Sequence, residues 1–170
     1  MDTAPSAYDK LIALLDQHQA EYRLIDHAPE GRTDVVSPLR GNALHEAAKC
    51  IVLMLKITKK QKKFILAVVA GDARVDFSAI KALFNARYAA FADSDIAEAM
   101  AGSAAGTILP FSFHPDLELI VDPALLENVE IFFNAARLDR SIALSTADYV
   151  AIAAPRVEAI GEGGGKEVDR

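Results

Sequence analysis

A single cysteine, no tryptophan and no long apolar run set the first limits on this chain of 170 residues. Cys50, alone, can form neither an internal disulfide nor a cysteine-rich zinc site. The longest apolar stretches, "CIVLML" and "FILAVVA", fall far short of the roughly 20 residues that a helix needs to cross a bilayer, so no membrane partner is expected. "MDTAPSAYDK" carries no basic stretch followed by an apolar one, so no secretory signal is expected and the expected compartment is the cytoplasm. Positive charge is also in short supply. The net charge of −6 argues against broad nonspecific binding of DNA or other nucleic acid. His18, His27, His45 and His114 form no HxH or HExxH pattern, and no metal or other cofactor is expected. A GxSxG nucleophile elbow is absent as well.

What remains is a pattern of mixed elements. "SAYDKLIALLDQHQ" places Tyr8, Leu11, Ile12, Leu14 and Leu15 on a helical stripe, and "YRLID" reads as a short strand leading into a Pro/Gly-containing loop. "NALHEAAK" favours helix by propensity from Asn42 to Lys49. "CIVLMLKI" and "FILAVVA" are buried strands of a central hairpin around a lysine-rich turn. Asp76 is a plausible N-cap for "FSAIKALF", and "DSDIAEAM" begins with acceptors suited to a second helix. "LELIVD", "VEIFFN" and "SIALS" read as strands, "PALLE" as a short helix or turn, and "TADYVAIA" as the last helix. The expected class is mixed α/β (α+β), with a mostly antiparallel central sheet flanked by helices. One domain is expected over 1–155, followed by a disordered tail over 156–170 because apolar residues all but vanish there.

Three features could carry chemistry. "GTILP" at 106–110 suits neither helix nor central strand, since Pro110 removes a donor and restricts its predecessor. It is either a turn packed by Phe111 and Phe113 or a cradle. In the cradle, Gly106 permits close approach and the N–H groups of Thr107, Ile108 and Leu109 face an anion or oxyanion. The residues alone leave both open. Lys49 ends a helix-forming segment just before an apolar strand, so it serves either the helix dipole or a phosphate or carbonyl. Cys50 reads as a small buried hydrophobe, although the adjacent lysine could activate it. Lys59, Lys60, Lys62 and Lys63 make a basic turn, which is more often a solvated hairpin tip than a phosphate contact.

In order along the chain, "HAPEGRT", "RGNALHEAAKCIVLMLK", "VVAGDARVDFSAIKALF", "AGTILPFSFHP", "LIVDPALL" and "FFNAARLDRSIALSTADY" together resemble the YbaK/ProRS-associated family of editing domains, over roughly residues 8–153. The resemblance implies a free-standing trans-editing enzyme that hydrolyses the ester of mischarged aminoacyl-tRNA, removing a small residue such as Ala, Ser or Thr. It implies catalytic roles for Lys49, Gly106 and Thr107. By the same resemblance His27, Thr33, Ile108, Leu109, Pro110, Asn134, Ser145 and Thr146 lie at the substrate; a tRNA substrate would in turn give the basic turn of Lys59, Lys60, Lys62 and Lys63 a role as tRNA contacts. Ala136 stands where the family's "NAG" stretch has glycine, and Cys50 where many relatives have a small polar residue. The expected partner is mischarged tRNA, with an aminoacyl-tRNA synthetase as a further one. Two other readings stay open: a noncatalytic nucleotide or aminoacyl-tRNA binder on the same fold, and hydrolysis of another small ester.

Overall fold

Ser6 opens the first element by accepting a hydrogen bond from the Asp9 N–H at 3.1 Å, an N-cap for α1 (Ala7–Gln17). The computed structural model describes residues 6–163. Along the chain follow β1 (Tyr22–Asp26), α2 (Thr33–Arg40), β2 (Ala48–Lys56), β3 (Lys62–Ala70), β4 (Ala73–Val75) and α3 (Phe77–Phe84). Next come β5 (Tyr88–Phe91), α4 (Ser94–Ala101), β6 (Leu117–Val121), β7 (Glu130–Asn134) and β8 (Arg140–Ser145). The last are α5 (Thr146–Ala153), β9 (Arg156–Val157) and β10 (Gly161–Gly163). No helix among the described residues is long and apolar enough to cross a membrane.

The hairpin of β2 and β3 is the centre of a five-stranded sheet in the order β5-β2-β3-β6-β9. Its strands are apolar on both faces, as the sequence runs predicted, because the sheet is covered from both sides. β1, β8 and β7 form a second, antiparallel sheet, and β10 pairs with β4. Among the described residues, only the β3–β6 and β6–β9 strand pairs are parallel. A single parallel bridge between Ala47 and Phe132 ties the start of β2 to β7, so the two larger sheets meet there. α3 begins where predicted, with Asp76 accepting from the Ala79 N–H at 3.1 Å. α4 starts after Asp93, which makes no side-chain cap bond.

Three expectations are corrected. The segment 42–49 is not a helix: only a 3-10 turn, Leu44–Glu46, forms before β2 begins. Alanine and glutamate propensity is worth tenths of a kcal/mol per residue, and the nine-residue ladder of β2 on β3 outweighs it. Conversely, α2 occupies a stretch read as loop. Pro38 sits inside that helix, which closes three residues later at Gly41 in the left-handed region (φ 81°). The third correction is the tail. Ile160 is fully buried, its N–H donates to Asp122 Oδ1 at 2.9 Å, and its carbonyl accepts from the Asp76 N–H at 2.7 Å. A tail poor in apolar residues still orders when one isoleucine fills the core and the backbone finds partners. Residues 164–170 lie outside the described residues.

Ile160→Ala is therefore expected to lower stability by about 2–4 kcal/mol, the usual cost of emptying a buried aliphatic site. Urea denaturation measures it, and an unchanged midpoint would mean that the tail is not part of the core.

Candidate active site

A cavity of about 140 Å³ opens where the two sheets meet. Gly31 lines it from the loop after β1; Thr33, Val36 and Arg40 line it from α2. β2 contributes Ala48, Lys49 and Cys50, and β7 contributes Phe133 and Asn134. Gly106 and Ile108 close it from the predicted loop. Lys49 and the 106–110 loop, far apart in sequence, thus share one cavity of amino-acid size. Among the described residues, no carboxylate or imidazole lines it. A larger cleft of about 550 Å³ beside Asp72, Asp122 and Glu127 holds none of the predicted site residues.

The two loops that form the rim touch back to back. Gly106 has φ +84°, and a Cβ there would lie 2.9 Å from the Gly31 Cα. Asn134, buried at the end of β7, holds both loops with one amide: its Nδ2 donates to Glu30 O at 2.8 Å and to Gly106 O at 3.0 Å. Its Oδ1 accepts from Ser141 Oγ at 2.9 Å and from Arg40 Nη1 at 3.4 Å. Both donors and both acceptor sites are consumed inside the protein. Asn134 thus lines the cavity with its amide committed to holding the two loops. His27 is not among the lining residues; its Nε2 lies 2.7 Å from Ser141 Oγ and its Nδ1 2.8 Å from Ala28 O.

The loop itself divides in two. Thr107 is buried and bonded locally: its N–H and its hydroxyl both donate to Ala104 O, at 3.0 and 2.6 Å. Its N–H is spent, so the expected catalytic role for Thr107 is corrected to holding the turn. Among the described residues, the N–H groups of Gly106, Ile108 and Leu109 have no acceptor. Leu109 is itself buried. Pro110 O accepts from Tyr149 Oη at 2.6 Å, and Phe111 packs edge-on against Phe133 and Tyr149. Phe111 anchors the loop as predicted, whereas Phe113 is exposed.

Lys49 projects from β2, not from a helix end, and its ammonium donates to Ala73 O. Burial pushes its pKa below the usual lysine value, with Asp72 opposing. Burial raises the Cys50 thiol well above its ordinary value despite nearby Arg40, which makes Cys50 an inert wall residue. Sequence reasoning missed Arg40 altogether. Its guanidinium is buried and contacts Asn42, Asn134, Ser141 and Ser37, all uncharged, and burial pushes it down to about 10. Neither Arg40 nor Lys49 forms an ion pair among the described residues. The signal available was an arginine directly before a helix-ending glycine, too common to single out.

Ser145 and Thr146 are not at this cavity. They begin α5, where the Ser145 hydroxyl accepts from the Asp148 N–H at 3.3 Å. Four steps along the strand, about 13 Å, separate Ser145 from Ser141. At the far end of the β2–β3 hairpin, about 24 Å along the strand from Lys49, Lys59, Lys60 and Lys62 are exposed. Lys63 is committed elsewhere, 2.9 Å from Glu118 and over the Phe84 ring. Lys56, Arg87 and Tyr88 extend the basic tip.

Gly106→Ala combines a left-handed φ with a backbone collision and is expected to cost more than the roughly 1–3 kcal/mol of conformational strain alone. Gly102→Ala is its control, with φ +78° and open space around the new methyl. Equal losses in chemical denaturation would show that the contact with Gly31 is unimportant.

Comparison with known proteins now bears on this geometry. The family model described as the aminoacyl-tRNA editing domain matches residues 29–152. The multifunctional Ser/Thr-tRNA deacylase ProXp-y of Escherichia coli K12, and that of Escherichia coli O157:H7, are each 39% identical over 151 residues. Those alignments cover 88% of this chain and 90% of each relative. Among solved structures, hypothetical protein APE2540 aligns with a TM-score of 0.80 at 19% identity, over 90% of this chain and 99% of that one. A protein provisionally described as a trans-editing enzyme for prolyl-tRNA synthetase aligns at 0.76 and 16% identity, over 95% and 100%. Those two likenesses establish the fold, and the matched sequence establishes the kinship: the chain belongs to the aminoacyl-tRNA editing domain family.

Proposed function

We propose that the protein is a trans-editing deacylase that hydrolyses the ester joining a mischarged serine or threonine to the 3′-terminal ribose of tRNA. The observation that carries this reading is one small cavity that holds Lys49 and unpaired loop N–H groups and, among the described residues, no carboxylate or imidazole. The deacylase activity named for the Escherichia coli relatives supports it, and their 39% identity over most of both chains supports serine and threonine ahead of alanine. Charged tRNA is the substrate, the cytoplasm is where it would be met, and a synthetase that delivers it is a compatible partner.

An aminoacyl ester is already activated, so the catalysis required is modest. Water adds to the carbonyl carbon, and the negative charge that develops on the carbonyl oxygen is met by the free N–H of Ile108, with that of Gly106 beside it. One such preorganised donor is worth about 3 kcal/mol in the barrier. Collapse of the tetrahedral intermediate breaks the bond to the ribose oxygen, which takes up a proton. Free amino acid and a tRNA with a terminal hydroxyl leave. With no carboxylate or imidazole in the cavity, the neighbouring ribose hydroxyl of the substrate is the group that accepts and relays the proton of water. Lys49, a compact ammonium at the rim of the buried space, holds the terminal phosphate.

The test is release of amino acid from tRNAs charged with Ser, Thr, Ala and Cys. Ser and Thr should be freed fastest. Lys49→Ala should lower kcat/KM about tenfold or more while the Tm stays within a few degrees, as for loss of a transition-state contact. No release from any of the four would overturn the reading.

The exposed tip supports a second, weaker contact with the tRNA body. If Lys59 and Lys60 meet phosphates, Lys59→Glu with Lys60→Glu should flatten the dependence of log K on log salt by roughly 0.7–0.9 per lost contact. Hydrolysis of a minimal aminoacyl-adenosine should be unaffected. Equal salt slopes would mean that the tip is only solvated.

A further inference from the structure

Among the groups that line the cavity, Arg40 is a charged one to which the hydrolytic step assigns no role. It sits at the end of α2, 8% exposed, in a position where an arginine normally has a carboxylate partner. Here every contact is neutral. Nε donates to Asn42 Oδ1 at 3.0 Å, but the three others, to Asn134, Ser141 and Ser37, are stretched to 3.3–3.4 Å. A guanidinium has five N–H groups, two of them on Nη2, and Nη2 has a single contact. Among the described residues, at least one donor of this buried cation is therefore left without an acceptor, beside a cavity that the side chain helps to line.

We propose that Arg40 is the specificity-determining residue that selects hydroxylated aminoacyl groups, by donating to the side-chain hydroxyl of a bound seryl or threonyl ester. The proposal rests on the deacylase reading above and adds to it the residue that discriminates. Lys49 is half-buried and reached from outside, which suits the phosphate end of the substrate. Arg40 is more deeply enclosed, in a cavity of about 140 Å³, which leaves room for a small side chain and none for a hydrated phosphate.

Its surroundings keep that donor in place. Asn42 Nδ2 and Arg40 Nη2 both donate to Ser37 Oγ, at 3.3 and 3.4 Å, while His27 and Asn134 hold Ser141 from either side. The same amide that closes the rim loops thus also braces Arg40. An alanyl or valyl group in this cavity would bury against the guanidinium without satisfying it, and a site built to bond a hydroxyl discriminates far more strongly than one that measures a methyl group.

The experiment compares wild type with Arg40→Met and Arg40→Lys on tRNAs charged with Ser, Ala, Thr and Val. It is paired with calorimetric binding of the non-hydrolysable amides 3′-serylamino- and 3′-alanylamino-3′-deoxyadenosine. Wild type is expected to favour Ser over Ala, and Thr over Val, by about 100-fold or more in kcat/KM. Arg40→Met should bring Ser and Ala to within about tenfold of each other, by slowing Ser much more than Ala. If wild type releases nothing from any tRNA yet binds the seryl amide preferentially, and Arg40→Met loses that preference, the deacylase reading fails and Arg40 keeps its role. A fall of equal size for all four tRNAs, or an unchanged Ser/Ala ratio, overturns the proposal. Should both variants fail to fold, wild type alone decides: similar affinities for the two amides would also overturn it.

Discussion

One buried amide organises the functional end of this protein. Asn134 closes β7, and from there its side chain reaches the carbonyls of Glu30 and Gly106, the hydroxyl of Ser141 and the guanidinium of Arg40. Each of those partners belongs to a different part of the chain, and none of the loops involved has regular structure to hold it. In a desolvated setting such a group is stabilising only when fully satisfied, because each unmade bond would cost about 1–3 kcal/mol. The cavity has its shape because this condition is met.

The same constraint explains the division of labour in the glycine-to-proline loop. Its first half is fixed by backbone contact with Gly31, by Thr107 turning back on Ala104, and by the Asn134 amide. Its second half is fixed by Tyr149 on the Pro110 carbonyl and by Phe111 in the aromatic cluster. Between these anchors the N–H of Ile108 is left unpaired at the cavity wall. A donor held this way needs no rearrangement when charge develops in front of it, which is what makes a preorganised dipole effective.

Charge is handled with similar economy. The chain is acidic overall, yet the two charged groups that line the cavity, Arg40 and Lys49, are both cations, and neither forms an ion pair among the described residues. Burial disfavours the charged form of each, so an incoming phosphate or hydroxyl improves the surroundings of a group that folding left under-solvated. The carboxylates of Asp72, Asp122 and Glu127 lie around the larger cleft, and of these Asp72 is near enough to favour the charged form of Lys49 without pairing with it.

Local patterns in the sequence were enough to determine the central hairpin, the cap of α3 and the class of the fold, and they singled out Lys49 and the 106–110 loop while leaving a structural role open for each. Hydrophobic runs and short-range hydrogen bonds are written in neighbouring residues, and a stretch with Gly and Pro four apart announces itself. What lay beyond the sequence depends on residues that meet only after folding. Asn42 to Lys49 looked helical because propensity is local, and strand pairing with residues 62–70 overrode it. The tail looked disordered because composition cannot register one isoleucine finding Asp76 and Asp122 across the core. Thr107, Asn134, Ser145 and Thr146 were plausible contacts by resemblance, and tertiary structure alone decided that their polar groups turn inward or lie a strand's length away. Arg40 was invisible for the converse reason: an arginine's meaning depends on whether an acid faces it, and only the assembled cavity determines that none does.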